Sequence, residues 1–221
     1  MPREPKSDKA ARFARIVDAL ERAMPEAKIA LDYADDLQLL TSVMLSAQTT
    51  DVAVNKATPA LFARFRTAAD YARAGARGIA PYLRSLGLFN SKAKNLAAAM
   101  SAIAKNHAGR VPRTRAELEA LPGVGQKTAG VVLVHLGAEP AFPVDTHIKR
   151  LAFRMGVTRN TDPDRIEHDL RALLPPDRWG RGHQLLIWHG RRVCHARAPQ
   201  CESCGILQLC PRRGVARHSA R

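Results

Sequence analysis

The chain reads as all-α. Apolar residues recur at three- and four-residue spacing in one segment after another, and helix start signals precede several of those segments. Ala is abundant, β-branched runs are scarce, and aromatics make up only 5% of the 221 residues, a balance that favours helices over strands. No internal repeat, paired strand pattern or low-complexity tract interrupts this. With 46% hydrophobic residues a packed core is available to one domain of ordinary size or to two small ones.

Residues 1–8 read as a short polar arm. From Lys9, the side chains of Phe13, Ile16, Val17 and Leu20 fall on one helical face, and Pro25 marks its end. Leu37, Leu40, Val43 and Met44 define a second helix. Thr50-Asp51 can cap a third that runs towards residues 62–65, with a break expected near Pro59. Residues 75–78, bounded by glycines, read as a joint before a short helix around residues 82–86. Ser91 opens a helix with Leu96, Met100 and Ile103 on one face. Thr114-Arg-Ala-Glu117 has the capping-box pattern for a helix ending near Leu121, and another helix covers residues 126–137. Asp162-Pro163 supplies a cap and a first-turn proline ahead of Ile166, Leu170 and Leu173. A last helix spans residues 181–189.

Lys and Arg number 35 against 20 Asp and Glu, a net charge of +15. Such a surplus draws in polyanions, although it serves equally to keep a soluble protein from associating. Charge alone does not separate DNA from RNA or an anionic membrane. The first residues lack an apolar signal core, and the longest apolar run, residues 131–136, contains His135. The expected setting is therefore away from membranes, in the cytoplasm and close to the nucleoid. Thiols there are kept reduced, so four closely spaced cysteines read as ligands rather than disulfides.

The segment Leu118-Glu-Ala-Leu-Pro-Gly-Val-Gly-Gln-Lys-Thr-Ala129 joins two helices through Gly123-Val124-Gly125. Glycines permit positive φ and close approach of another backbone. The N–H groups of the turn and of the helix start then point outward together, which suits a phosphate oxygen. Contacts of that type position DNA without reading sequence. A tight helix-to-helix connection is the plainer alternative; the preceding Leu-Pro, the lysine and the apolar helix beyond favour DNA.

That hairpin, with Val144-Asp145-Thr146-His147 after it, resembles the signature of the endonuclease III family of helix–hairpin–helix DNA glycosylases. The likeness extends to Leu45-Ser-Ala-Gln48-Thr-Thr-Asp51, to Gly87-Leu88-Phe-Asn-Ser-Lys-Ala93 and to the cysteines, covering about residues 10–211. It implies a bifunctional enzyme that removes oxidised pyrimidines from duplex DNA and nicks the strand.

Departure of a base builds positive charge on the sugar. A carboxylate stabilises that charge, and a neutral amine can attack C1′ to form a Schiff base, which permits β-elimination. The resemblance makes Lys127 the nucleophile and Asp145 the assisting carboxylate. Lys127 falls in the first turn of its helix, where the dipole disfavours an ammonium; partial desolvation would add to that effect. Read on its own, Lys127 is a solvated phosphate contact and Asp145 a helix N-cap. The second role is compatible with catalysis, because a capping carboxylate is held in place and ionised.

Cys194, Cys201, Cys204 and Cys210 are spaced C-x6-C-x2-C-x5-C, followed by Pro211. Four thiolates can enclose one cluster. Zinc remains the metal alternative, weakened by having one C-x2-C pair instead of two, and two disulfides fit least. The resemblance implies one [4Fe-4S] cluster. The loop's Arg191, Arg192 and Arg197 are then candidates to face phosphates, or are simply solvated. Ala198 departs from the family, which often has a basic residue nearby.

To expose C1′, the nucleotide must leave the stack. By resemblance, Gln48 fills the vacated space and Leu88 wedges beside the partner base; by themselves they read as an ordinary polar residue and a core leucine. Gly123, Val124, Gly125, Thr128, His147 and Arg191 complete the expected DNA contacts. Ser46, Asp51 and His147 are pocket candidates or hydrogen-bonded structural residues, and His183 and His189 read as structural.

The expected architecture has two helical lobes about a DNA-binding cleft. Residues 29–139 form a barrel carrying the hairpin (118–137), and residues 1–28 with 140–221 form the cluster domain. The partner is double-stranded DNA with damaged pyrimidines or abasic sites, and the protein acts as a monomer. The rivals are a glycosylase for mismatched adenine or thymine, against which Lys127 argues, and a non-catalytic DNA-binding or redox-sensing module.

Overall fold

The computed structural model describes residues 4–215. Among them there are ten α-helices, three short 3-10 turns and no strand. The first three residues of the expected N-terminal arm lie outside the described residues. The chain separates into two compact units, Ala30–Glu139 and Met1–Ile29 with Pro140–Arg221. No helix of the described residues is long and apolar enough to cross a membrane.

The contiguous unit holds α2 (Asp36–Leu45), α3 (Asp51–Arg64), α4 (Ala68–Ile79), α5 (Phe89–Asn106), α6 (Arg115–Glu119) and α7 (Gln126–Leu136). Every residue from Leu39 to Leu45 in α2 is buried, so this helix is enclosed on all sides instead of showing one apolar stripe. It packs against α3, α5 and α7. Four of the helix starts are closed by side chains: Asp35, Thr50, Thr67 and Thr114 each accept a hydrogen bond from an N–H in the first turn. Each such cap is worth about 1 kcal/mol.

The expected break at Pro59 does not occur, and α3 runs through it. Pro59 is exposed while Ala57, Thr58 and Leu61 are buried around it. The lost backbone bond therefore faces solvent while packing holds the helix on both sides. The joint at residues 75–78 is a single residue, Gly75 at φ 60°, within α4. Instead of a helix at residues 82–86 there is a 3-10 turn, Ala80–Leu83. The start predicted at Ser91 is two residues early in the structure, because Leu88 turns left-handed and α5 begins at Phe89.

The second unit holds α1 (Lys6–Ala23), α8 (Thr146–Arg154), α9 (Pro163–Arg171), α10 (Trp179–Arg192) and the cysteine loop. Its core is Phe13, Ile16, Val17 and Leu20 of α1 with Phe142, Ile148, Leu151, Ile166, Leu170, Leu185 and Leu186. Burying each such side chain contributes about 2 kcal/mol before entropy is counted. Arginines tie the distant segments together. Arg181 of α10 forks onto Glu21 of α1 with both distances at 2.7 Å. Arg12 pairs with Glu4 and donates to the carbonyls of Met155 and Leu209, at 2.8 and 3.0 Å. The last helix is longer at both ends than residues 181–189, because Trp179 caps the core and donates its indole N–H to Leu174 O at 2.8 Å.

Candidate nucleic-acid interface and cysteine pocket

In the contiguous unit, the two glycines of the hairpin do different jobs. Gly123 has φ 78°, and a Cβ there would lie 2.7 Å from Cβ of Asn95, so both backbone and space demand glycine. Gly125, at φ −96°, has ordinary extended backbone and open space around it. It is the N-cap of α7, and no side chain accepts from the first turn. Ala129 N–H is the first to find a helical partner, Gly125 O at 2.9 Å. The N–H groups of Gln126, Lys127 and Thr128 therefore form the open cluster expected of an anion site.

Val124 needs correcting as a DNA contact. Its side chain is 5% exposed and its N–H donates to Leu121 O at 3.1 Å, so it is a core pin of the hairpin with neither group available to a phosphate. Lys127 is exposed, so the chain alone does not give its amine the partial desolvation anticipated. Thr128 is half-buried on the same turn.

Gln48 and Leu88 stand out through backbone and exposure. Both are non-glycine residues in the left-handed region, at φ 53° and 57°, and both are exposed, Leu88 to 62%. A core role for Leu88 is thereby removed. Ser46 donates to Val43 O at 2.8 Å and closes α2, a structural duty. Asp51 opens α3, half-buried.

In the second unit, Asp145 is half-buried and caps α8, accepting from Ile148 N–H at 2.8 Å. His147 lies in the first turn of α8, its Nδ1 3.1 Å from the Arg150 guanidinium. Arg150 also donates to Gly190 O and Cys194 O, at 2.9 and 3.1 Å. Gly190 permits this closeness, since a Cβ there would meet His147 at 3.0 Å. His183 is structural: it is buried, and Nδ1 lies 2.8 Å from Pro143 O.

The four cysteines are unbridged and line one pocket with Leu151, Met155, Val193 and Ile206. Among the described residues, no three His, Cys, Asp or Glu converge as a single metal ion requires. Burial pushes the Cys204 and Cys210 thiols up. Two neighbours stand beside the cysteines: Arg154, which the sequence did not single out, and His189, which it reads as structural. Arg154, 8% exposed, donates to Cys194 Sγ at 3.3 Å and to the carbonyls of His195 and Ala196, at 2.6 and 2.8 Å. His189, held neutral by burial with its pKa down to about 4, lies 3.7 Å from Cys204 Sγ.

Of the three arginines expected at phosphates, Arg191 and Arg197 are exposed. Arg192 is committed within the unit: it lies 3.8 Å over the Trp188 ring and 3.4 Å from Glu26.

Residues 41–176 match the family model described as the HhH-GPD superfamily base excision DNA repair protein. The chain is 44% identical over 206 residues to endonuclease III of Synechocystis sp., covering 93% of this chain and 94% of that protein. It is 40% identical over 195 residues to endonuclease III of Escherichia coli, covering 88% and 92%. Among solved structures, a trapped endonuclease III–DNA covalent intermediate superposes with a TM-score of 0.87 at 36% identity, over 95% of this chain and 97% of that one.

Proposed function

The chain belongs to the endonuclease III family of the HhH-GPD superfamily, and from that premise we propose that it is a bifunctional DNA glycosylase and abasic-site lyase of base excision repair. The observation that carries the reading is Lys127, an exposed amine in the uncapped first turn of α7. That turn is built to receive a phosphate, and the amine stands beside it.

In this reading the substrate is duplex DNA carrying an oxidised pyrimidine or an abasic site, and the chain works as a monomer near the nucleoid. The hairpin N–H groups hold a backbone phosphate. Gln48 and Leu88 enter the stack, and the damaged nucleotide swings out. Lys127 Nζ, as the free amine, bonds to C1′. The glycosidic electron pair leaves with the base, which takes up a proton. Loss of a proton from nitrogen and opening of the sugar ring give the protonated imine. Removal of a C2′ proton then expels the 3′ phosphate, and water releases the lysine. The Asp145 carboxylate offsets the positive charge that develops on the sugar. Its N-cap bond fixes its orientation, so no reorganisation is needed as charge appears. Docking on DNA, not burial within the free chain, would strip water from Lys127.

The cysteine pocket fits one [4Fe-4S] cluster, with Cys194, Cys201, Cys204 and Cys210 as ligands. Four cysteines lining one shared pocket supply the four thiolates that such a cluster takes. Such a centre would fold the C-terminal loop and present Arg191 and Arg197. A colourless preparation with one equivalent of zinc would overturn this assignment.

Borohydride trapping on duplexes with an oxidised pyrimidine tests the chemistry. The parent chain should give a covalent adduct. Lys127→Ala should give none and should lose strand scission by about 1,000-fold, roughly 4 kcal/mol of barrier, while melting at the parent's temperature because the side chain is exposed. An alanine variant that still nicks at the parent's rate would remove the proposed role.

A further inference from the structure

Lys92 has no part in the scheme above, yet it occupies the inward face of α5 alongside Ala93, Leu96, Ala99, Met100 and Ile103. It is 8% exposed, and burial holds its pKa below the ordinary 10.5. Burying a lysine is unfavourable unless its head group is satisfied. Here Nζ donates to Thr49 Oγ1 at 2.5 Å and to Gly87 O at 2.9 Å.

Those two acceptors are the immediate neighbours of Gln48 and Leu88. Both of the latter hold left-handed backbone at φ 53° and 57°, a conformation that costs a non-glycine residue about 1 kcal/mol or more and survives only when its surroundings enforce it. One ammonium thus grips the residue after Gln48 and the residue before Leu88. The two loops come from sequence positions more than thirty residues apart, and each exposes a side chain instead of burying it.

We infer that Lys92 is a positioning residue that fixes the Gln48 and Leu88 loops as one preformed wedge for opening the duplex. It touches no reacting atom. It removes the ordering cost that two independent loops would incur on meeting DNA. The inference rests on the assignment of Gln48 and Leu88 to base extrusion.

The test compares Lys92→Met, which keeps the stem and removes the donor, Lys92→Arg, and Thr49→Val, which removes one acceptor at a surface loop. Two substrates are used: a duplex with a paired oxidised pyrimidine beside 2-aminopurine, and a preformed abasic site opposite a one-nucleotide gap, where little remains to be unstacked. On the paired duplex, Lys92→Met should slow the fluorescence rise and single-turnover cleavage about tenfold, and Thr49→Val about threefold. On the gapped substrate all variants should trap within about twofold of the parent, and Lys92→Arg should recover most of the lost extrusion rate.

Equal losses on both substrates would mark Lys92 as a mere fold element and overturn the inference, as would a parent-like rate on the paired duplex. Should Lys92→Met fail to fold, Thr49→Val decides by the same criteria. A parent chain that traps on neither substrate removes the assigned chemistry itself, an outcome distinct from parental trapping with unaffected variants.

Discussion

Two helix starts in this protein carry the two groups assigned to chemistry, and they are built in opposite ways. At α8 the carboxylate of Asp145 turns back and caps its own helix at 2.8 Å. At α7 the N-cap is Gly125, with no side chain to spare, and the first-turn N–H groups stay open beside an exposed Lys127. A self-capped start holds a charge still. A bare start stores unsatisfied donors for a ligand to complete, and its stability is that much lower until the ligand arrives.

The largest effect is expected at Asp145. Asp145→Asn keeps an N-cap acceptor and removes the charge, whereas Asp145→Ala removes both. Each should lower single-turnover base removal by about 100-fold or more, near 3 kcal/mol. Only the alanine variant should also lose about 1 kcal/mol of stability to urea. Equal stability losses in the two variants would show that the cap is not what orients the carboxylate.

At α7 the two hairpin glycines should respond in opposite directions. Gly123→Ala puts a Cβ 2.7 Å from Asn95 at φ 78° and should cost about 2 kcal/mol or more of stability. Gly125→Ser has room and permitted backbone. It should cap α7, raise stability by about 1 kcal/mol and weaken DNA binding about tenfold by filling the phosphate's place. Denaturant melts and fluorescence anisotropy on duplex DNA measure both; a serine variant that binds DNA as tightly as the parent would argue against an anion site at this turn.

The last effect lies at the far end of α7. Burial pushes the pKa of His135 from 6.5 to about 4. The unfolded chain takes up that proton near pH 6.5 while the folded chain resists until about 4, so stability is complete above pH 6.5 and drains as pH falls between these values. Because the side chain is only partly enclosed, the loss should be about 1–2 kcal/mol. His135→Gln should flatten this segment of the pH–stability curve.

Sequence reached most of the helices, though not α4, and most of the capped starts because those signals are local: Thr50, Thr114, Asp145 and Asp162 each bond to an N–H three residues on. The same rule was open at Thr67-Ala-Ala-Asp70, where the structure has a full capping box that went unread. The hairpin, the carboxylate and the cysteines were legible as motifs. What was not legible depends on distant partners. Pro59 continues a helix because of neighbours packed on other elements. Arg154, Arg12 and Arg181 find acceptors 41–197 positions away. Left-handed backbone at Gln48 and Leu88 has no residue-type signal at all. Lys92 had a faint one, a lysine standing within the apolar stripe of α5.

The unit that contains the cysteine pocket is assembled from both ends of the chain, and this orders events on the ribosome. Residues 30–139 can close their own core as they emerge. The apolar face of α1 must wait for α10, because Arg181 reaches Glu21 across 160 positions, an interval on the order of ten seconds at ordinary translation speeds. Until then that face stays partly uncovered, and the four cysteines, at positions 194–210, emerge later still.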